Sequence, residues 1–374
     1  MKNILVVLGT RPEVIKLAPV IIELKKHEDC NVIVCNTEQQ KELSNQTLKY
    51  FGLKADVNLD CMRPNQSLAE VQIRILSGLN KLFQENKIDA TFVQGDTMSV
   101  FCGALISYYN RIPVYHVEAG LRSYNLFEPF PEEAMRQMTG RITDIHFAPT
   151  LENKKSLLKE NIPEDKIHVV GNTVIDALHC LSVETMQNAK QFFIDKNIIV
   201  DDKIVLVTVH RRENHGERLN KIIQAIYDLA IKYNNHLFVI PVHPNPNVKE
   251  KIYDTLSSLS NVKLLDPLDY PNLVYLMKNA KLILTDSGGI QEEAPTFGCP
   301  TLVMRYETER KEGVIAGVSV LVGADEDKII NYASKILDND FASTRLKVQN
   351  PYGDGKSAQR IIKTITERII YNYE

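Results

Sequence analysis

No uncharged stretch of this chain, Thr97 to Asn110 included, reaches the ~18 residues that a membrane span requires. The first apolar run, Ile4 to Leu8, gives way almost at once to Arg11-Pro12, which argues against a secretion signal. A soluble, cytoplasmic protein with no membrane partner is expected. Charge of one sign is lacking too. With 44 Lys and Arg against 47 Asp and Glu, the formal net charge is −3 and well mixed, leaving no basic stripe for nucleic acid. Six cysteines (Cys30, Cys35, Cys61, Cys102, Cys180, Cys299) include no CxxC pair and mostly fall in apolar segments. They read as buried free thiols in a reducing compartment, not as a zinc site or a disulfide framework. The nine histidines have neither HExxH nor other ligand spacing, so no resident metal is expected. The first strand is followed by Gly9-Thr10-Arg11-Pro12-Glu13 rather than GxGxxG, which removes the usual fingerprint of a nicotinamide or flavin dinucleotide. No cofactor is expected. Repeats of 20 to 50 residues are missing as well, which argues against solenoids and propellers.

What is present is alternation. At 374 residues the chain is too long for one ordinary core, and two domains are expected. Short β-branched runs (3–8, 31–37, 90–94, 112–117, 145–148) alternate with amphipathic segments, the pattern of a parallel α/β sheet. It restarts after Gly171-Asn172-Thr173, with runs at 204–209, 237–242, 262–265, 282–285 and 301–304. The expected architecture is two Rossmann-like, doubly wound domains facing across a cleft, spanning 1–171 and 172–355. A terminal helix within 356–374 is expected to pack back toward the N-terminal domain. Pro19 and Pro295 fall past the first turn of their helices, where each should kink or shorten the helix by removing a hydrogen bond.

Ligands of open parallel sheets bind outside the carboxyl ends of the strands, and here those positions are polar. In the first half they carry Gly9-Thr10-Arg11-Pro12, Gly95-Asp96-Thr97 and Glu118-Ala119-Gly120-Leu121-Arg122. In the second they carry His210-Arg211-Arg212-Glu213-Asn214, His243-Pro244 and Asp286-Ser287-Gly288-Gly289. Singly, each has an ordinary explanation: Asp96 fits a helix cap, His210 a turn. Ser287-Gly288-Gly289 fits an ordinary strand-to-helix turn equally well. It also fits a phosphate cradle, since adjacent glycines admit an anion to the N–H groups of a helix start. Pro12 fits the first position of a helix, so Arg11 and Lys16 stand where the macrodipole disfavours cations unless an anion binds there. Phe130-Pro131-Glu132-Glu133-Ala134-Met135-Arg136 adds Glu132 and Arg136, on a fixed loop leading into a helix or simply at an acidic helix start. Phosphate-binding groups in one half and cations in the other point to a nucleoside diphosphate ligand. The surplus carboxylates point to acid–base work on it.

Taken together, Gly9 to Glu13, Gln94-Gly95-Asp96-Thr97, His116 to Arg122, Gly171-Asn172-Thr173, His210 to Asn214 and Asp286 to Pro295 closely resemble the non-hydrolysing UDP-N-acetylglucosamine 2-epimerases. The match ends with Asn350-Pro351-Tyr352-Gly353-Asp354-Gly355, so it covers nearly the whole chain. The resemblance implies a glycosyltransferase-B-like fold, a homodimer, and interconversion of UDP-N-acetylglucosamine with UDP-N-acetylmannosamine for cell-surface polysaccharide synthesis. It implies anti-elimination of UDP to a 2-acetamidoglucal, then re-addition with the proton returned to the other face of C2. The family's catalytic carboxylates fall on Asp96, Glu118 and Glu132, with His210 near the diphosphate or sugar. Its UDP-sugar contacts fall on Arg11, Lys16, Arg136, Leu268, Leu273, Ser287, Gly288, Gly289, Glu293 (ribose) and Arg310.

The chain departs from the family's pattern in four places. Leu273 stands where an aromatic often packs on uracil, and Met135 where an asparagine is usual. Glu307 and Lys311 interrupt the usual run around Arg310. The activator subsite of many bacterial members matches at Gln39 and His243, but its polar partners look replaced by Glu42 and Asn65, so weakened or altered activation is expected. Two other readings stay open: a glycosyltransferase of the same fold, and a nucleotide-sugar sensor without turnover.

Overall fold

A computed structural model describes residues 1–369. Residues 370–374, the end of the expected C-terminal segment, lie outside the described residues. The described residues form two compact units, one of residues 1–181 with 352–369, the other of residues 182–351.

The first unit holds a seven-stranded sheet of β1 (Lys2–Leu8), β2 (Cys30–Asn36), β3 (Val57–Asn58), β4 (Ala90–Gln94), β5 (Val114–Val117), β6 (Ile145–Ala148) and β7 (Ile167–Val169). Its order is β3-β2-β1-β4-β5-β6-β7 and every pairing is parallel. The second unit holds β8 (Ile204–Thr208), β9 (Leu237–Pro241), β10 (Val262–Leu265), β11 (Leu282–Thr285), β12 (Thr301–Val303) and β13 (Ser319–Leu321). These run in the order β10-β9-β8-β11-β12-β13, again all parallel. Helices cover both faces, so the central strands are mostly apolar and buried: every residue from Ile4 to Leu8 is fully buried. Strand order reverses between β1 and β4 and between β8 and β11, which opens a crevice at their carboxyl ends in each unit.

The ten expected strands form. The three that the sequence pattern did not show, β3, β7 and β13, are sheet-edge strands of two or three residues, too short to display a period. Pro295 ends its helix as expected: Gly288–Glu293 stops there and a 3₁₀ turn, Ala294–Phe297, follows. Pro19 does not shorten its own. The helix Arg11–Leu24 runs unbroken through it, because most of its length is buried, with helices Thr173–Cys180 and Ser357–Ile369 packed on it. That packing also moves the division between units to Leu181, beyond the expected Gly171-Asn172-Thr173. Helix Ser357–Ile369 returns to the first unit through Asn172 N–H to Tyr352 O (2.7 Å), Ala358 N–H to Asp176 Oδ1 (2.8 Å) and Arg360 to Val170 O (3.1 Å).

Candidate active site

In the first unit the polar groups gather at the β1/β4 crevice and the neighbouring end of β5. Gly9 leaves β1 where a Cβ would lie 2.0 Å from Thr37 Oγ1 and 2.5 Å from Ser99 Oγ, so no other residue passes. The helix then starts at Arg11, one residue before Pro12, and among the described residues the Arg11 side chain has no hydrogen bond or ion pair. One turn on, Lys16 forms a close ion pair with Glu118, whose other oxygen accepts from Gln94 Nε2. Glu118 has φ +63°, a conformation costly for a side chain with a Cβ, and such outliers cluster at functional sites. Asp96 accepts from Arg136 Nε at 2.8 Å, and Arg136 also reaches Glu133 at 3.3 Å.

Glu133 is fully buried. Burial would raise its carboxyl, but donors at Ser123 N (2.9 Å), Tyr124 N (3.1 Å) and Gln137 Nε2 (3.0 Å), with Arg136, outweigh it and hold the group below the usual range. Glu133 thus fastens the 121–131 loop to the helix Glu132–Arg141 that carries Arg136. Glu132, at the start of that helix, keeps a buried Oε2 with no hydrogen-bond partner among the described residues. Met135 packs in the apolar core, so the contact of a polar residue there is replaced by packing. His116 Nε2 lies 2.8 Å from Gly95 O, which only accepts, so the proton sits on Nε2. Burial pushes His116 down to about 4 and keeps it neutral.

In the second unit the β8/β11 crevice is organised by Asp286, which is fully buried. Its carboxylate accepts from the backbone of His210 (3.0 Å) and Arg211 (2.9 Å) and from Asn214 Nδ2 (3.0 Å), and lies 3.1 Å from His210 Nδ1. Burial opposes ionisation, but these donors hold Asp286 below its ordinary range. An anchored Nδ1 leaves Nε2 as the His210 nitrogen that Asp286 does not engage. Ser287 opens a helix of six residues, Gly288–Glu293. A Cβ on Gly288 would come within 2.9 Å of the Arg310 guanidinium carbon, whereas one on Gly289 would meet nothing within 4 Å. Arg310 donates from Nε to Glu292 (3.0 Å) and from Nη1 to Glu309 (3.3 Å), and Glu309 also receives Arg305 (3.0 Å). Against its own burial, Arg310 and Arg305 hold Glu309 at about 2. Arg211, its buried Nε without a hydrogen-bond partner among the described residues, is pushed down by burial and by the charges of Arg305 and Arg310, so an anion bound there would relieve that repulsion.

A family model described as UDP-N-acetylglucosamine 2-epimerase matches residues 22–366. The UDP-N-acetylglucosamine 2-epimerase of Neisseria meningitidis is 46% identical over 97% of this chain and 99% of its own length. The chain belongs to the UDP-N-acetylglucosamine 2-epimerase family. The family's Escherichia coli K12 member is 43% identical over 97% of this chain and 98% of its own. A crystal structure of the Neisseria meningitidis epimerase bound to UDP-GlcNAc superposes with a TM-score of 0.87 at 45% identity, covering 98% of this chain and 100% of that one. The Methanocaldococcus jannaschii epimerase, in complex with UDP-GlcNAc and UDP, gives 0.80 at 36% identity, covering 98% and 99%. The two parallel, doubly wound sheets are thus the glycosyltransferase-B-like fold of this epimerase family.

Of the expected site residues of this family member, Arg11, Lys16, Asp96, Glu118, Glu132 and Arg136 lie in the first unit. His210, Leu268, Leu273, Ser287, Gly288, Gly289, Glu293 and Arg310 lie in the second. Glu293 is buried and accepts from Tyr270 OH at 3.0 Å. Tyr270 heads the helix Tyr270–Asn279 that carries half-buried Leu273, and buried Leu268 comes just before it. Among the residues matched to an activator, Gln39 accepts from Ser99 Oγ at 2.9 Å, while Glu42 and Asn65 are exposed in the first unit. His243 belongs to the second unit, its ring 5.9 Å from that of His210. The expected set missed Glu13, Gln94, Glu133 and Asn214. Each acts by a side-chain bond to a residue distant in sequence or to a backbone turn, and Glu13 and Glu133 alone gave a signal, as acids in a first helical turn.

Proposed function

We propose that the protein interconverts UDP-N-acetylglucosamine and UDP-N-acetylmannosamine by anti-elimination of UDP and re-addition through 2-acetamidoglucal. The observation that carries this is the set of carboxylates around the β1/β4 crevice: Asp96 paired with Arg136, Glu118 paired with Lys16, and Glu132 with a buried oxygen that has no hydrogen-bond partner among the described residues. Breaking the C1–O bond sends the electron pair to UDP and leaves an electron-poor ring, which makes the C2 proton acidic enough for a carboxylate to take. Asp96, Glu118 and Glu132 are the groups that remove it and return it to the opposite face. Arg11, Lys16 and Arg310 balance the leaving diphosphate beside Ser287, Gly288 and Gly289, with Asp286-braced His210 as a further contact. Glu293 holds the ribose, and Leu273 with Leu268 offers the uracil an aliphatic surface.

The test is NMR of the purified protein with UDP-N-acetylglucosamine in heavy water. Epimer formation with deuterium at C2 supports the reading, and unaltered substrate rejects it. A glycosyltransferase reading rests on the fold alone, and deuterium wash-in without an acceptor excludes it. The enzyme is further proposed to act as a cytoplasmic homodimer supplying cell-surface polysaccharide synthesis, the dimer to be checked by light scattering. With Glu42 and Asn65 in place of the usual partners of Gln39 and His243, activation by a second UDP-N-acetylglucosamine is weakened. Hyperbolic kinetics from UDP-N-acetylmannosamine alone are expected; strict dependence on added UDP-N-acetylglucosamine would reject this.

A further inference from the structure

Between Arg11 and Asp96 lies a buried carboxyl that the chemistry above leaves unused. Glu13 is 1% exposed, and its two oxygens take three donors. Oε2 accepts the N–H of Gly9 at 2.6 Å and of Thr10 at 3.0 Å, while Oε1 accepts the hydroxyl of Thr97. Its partners are thus the two residues before Arg11 and the one after Asp96. The β1/β4 ladder cannot hold these turns together, because its register stops at Val6 and Phe92. Beyond that point Glu13 supplies the link.

We propose that Glu13 is a positioning residue for the reaction: it fixes Arg11 and Asp96 relative to one another, and its protonation decides which group the Thr97 hydroxyl serves. This rests on the assignment of Arg11 and Asp96 to the epimerase site. The two backbone donors cannot reverse, but a hydroxyl can. A proton taken up at Oε1 finds Thr97 Oγ1 as acceptor, so uptake turns the Thr97 proton away from Glu13 to another acceptor beside Asp96. Burial, aided by the facing Asp96, pushes Glu13 up to about 7 against the pull of its three donors. From the other elements around this turn come Asp96, engaged by Arg136, and Glu118, engaged by Lys16 of Glu13's own helix. Thr37, Ser99 and Gln39, all uncharged, pack against Gly9.

The test is the pH profile of kcat for epimerisation in the wild type, E13Q, E13A, T97V and T97S. The wild type should show a limb falling toward acid with an inflection near about pH 7. T97S keeps the hydroxyl and should keep the limb. T97V and E13Q should lose it, E13Q running flat near the wild type's acid plateau. E13A loses the link itself, and its kcat should fall about tenfold or more below that of E13Q, with KM changed less than about threefold. A limb that persists in E13Q or T97V, or wild-type turnover in E13A, overturns the proposal, since a glutamate that only braced the fold would not move the limb. Product formation by the wild type at about pH 8 is the control. Without it the epimerase reading falls and this inference with it; with it, an unmoved limb removes the inference alone.

Discussion

Asp96 and Arg11 sit on adjoining turns but answer to different chemistry. Asp96 is held by Arg136 at 2.8 Å and is proposed to move a proton, so D96N should lower kcat by about 100-fold or more while changing the Kd for UDP less than about threefold. The Arg11 side chain has no hydrogen bond or ion pair among the described residues, its backbone N–H alone donating to Gln40, so R11A should raise that Kd by roughly tenfold, the worth of one charge-assisted contact to phosphate. Calorimetry with UDP and initial rates separate the two. Glu13 makes a prediction about folding. Its carboxyl rises from 4.5 to about 7 on folding, so the site's contribution to stability is complete below pH 4.5 and is lost as the pH climbs through 7. At ~1.4 kcal/mol per pH unit, the loss is on the order of 3 kcal/mol. E13Q never ionises and should gain on the wild type by that order between about pH 4.5 and 8, read by urea unfolding at each pH. Little of this was legible beforehand. Nothing in Gly9-Thr10-Arg11-Pro12-Glu13 tells that the acid meets Thr97, because that contact spans 84 residues and exists only once β1 and β4 lie side by side.

Elements were legible where a period repeats and illegible where tertiary packing overrules local rules. The long alternating runs gave the strands on either side of both switch points. The edge strands are too brief to carry a pattern, and Pro19 is tolerated because its helix is stabilised by what packs on it rather than by its own hydrogen bonds. The Ser287-Gly288-Gly289 turn was visible, but its helix is only six residues long, so its dipole is a smaller resource than the sequence promised. In the proposed site Arg310, braced by Glu292 and Glu309, adds positive charge beside it. Gly288 is glycine because Arg310 lies against it, so G288A should displace the guanidinium, break its bond to Glu292 and weaken UDP binding by about tenfold. Gly289 has open space, so G289A should fold with a Tm within about 2 °C of the wild type. If UDP approaches the Gly289 backbone closely, G289A should still lose about tenfold in UDP affinity. Unchanged affinity in G289A would remove this residue from the phosphate cradle.

At the scale of the molecule, each unit carries its own core, but the chain makes them unequally independent. The second unit is one continuous stretch, with a buried cluster running from Val205 to Leu337. The first unit is closed only when the chain returns at Tyr352 and lays helix Ser357–Ile369 on helix Arg11–Leu24. Helix Thr173–Cys180 belongs to the first unit although the strand pattern restarts before it, because membership in a unit is decided by packing and not by where that pattern restarts. Ile361, Ile362 and Ile365 are each 3% exposed or less. At ~1.5 to 3 kcal/mol apiece, their removal costs roughly 5 to 9 kcal/mol, comparable to the whole stability of a domain. A chain ending at Lys356 should therefore lose hydrogen-exchange protection in β1 and β4 while retaining it in β8 and β11. It should unfold in two separated steps rather than one. Protection lost equally in both sheets would show instead that the second unit depends on the first for its stability.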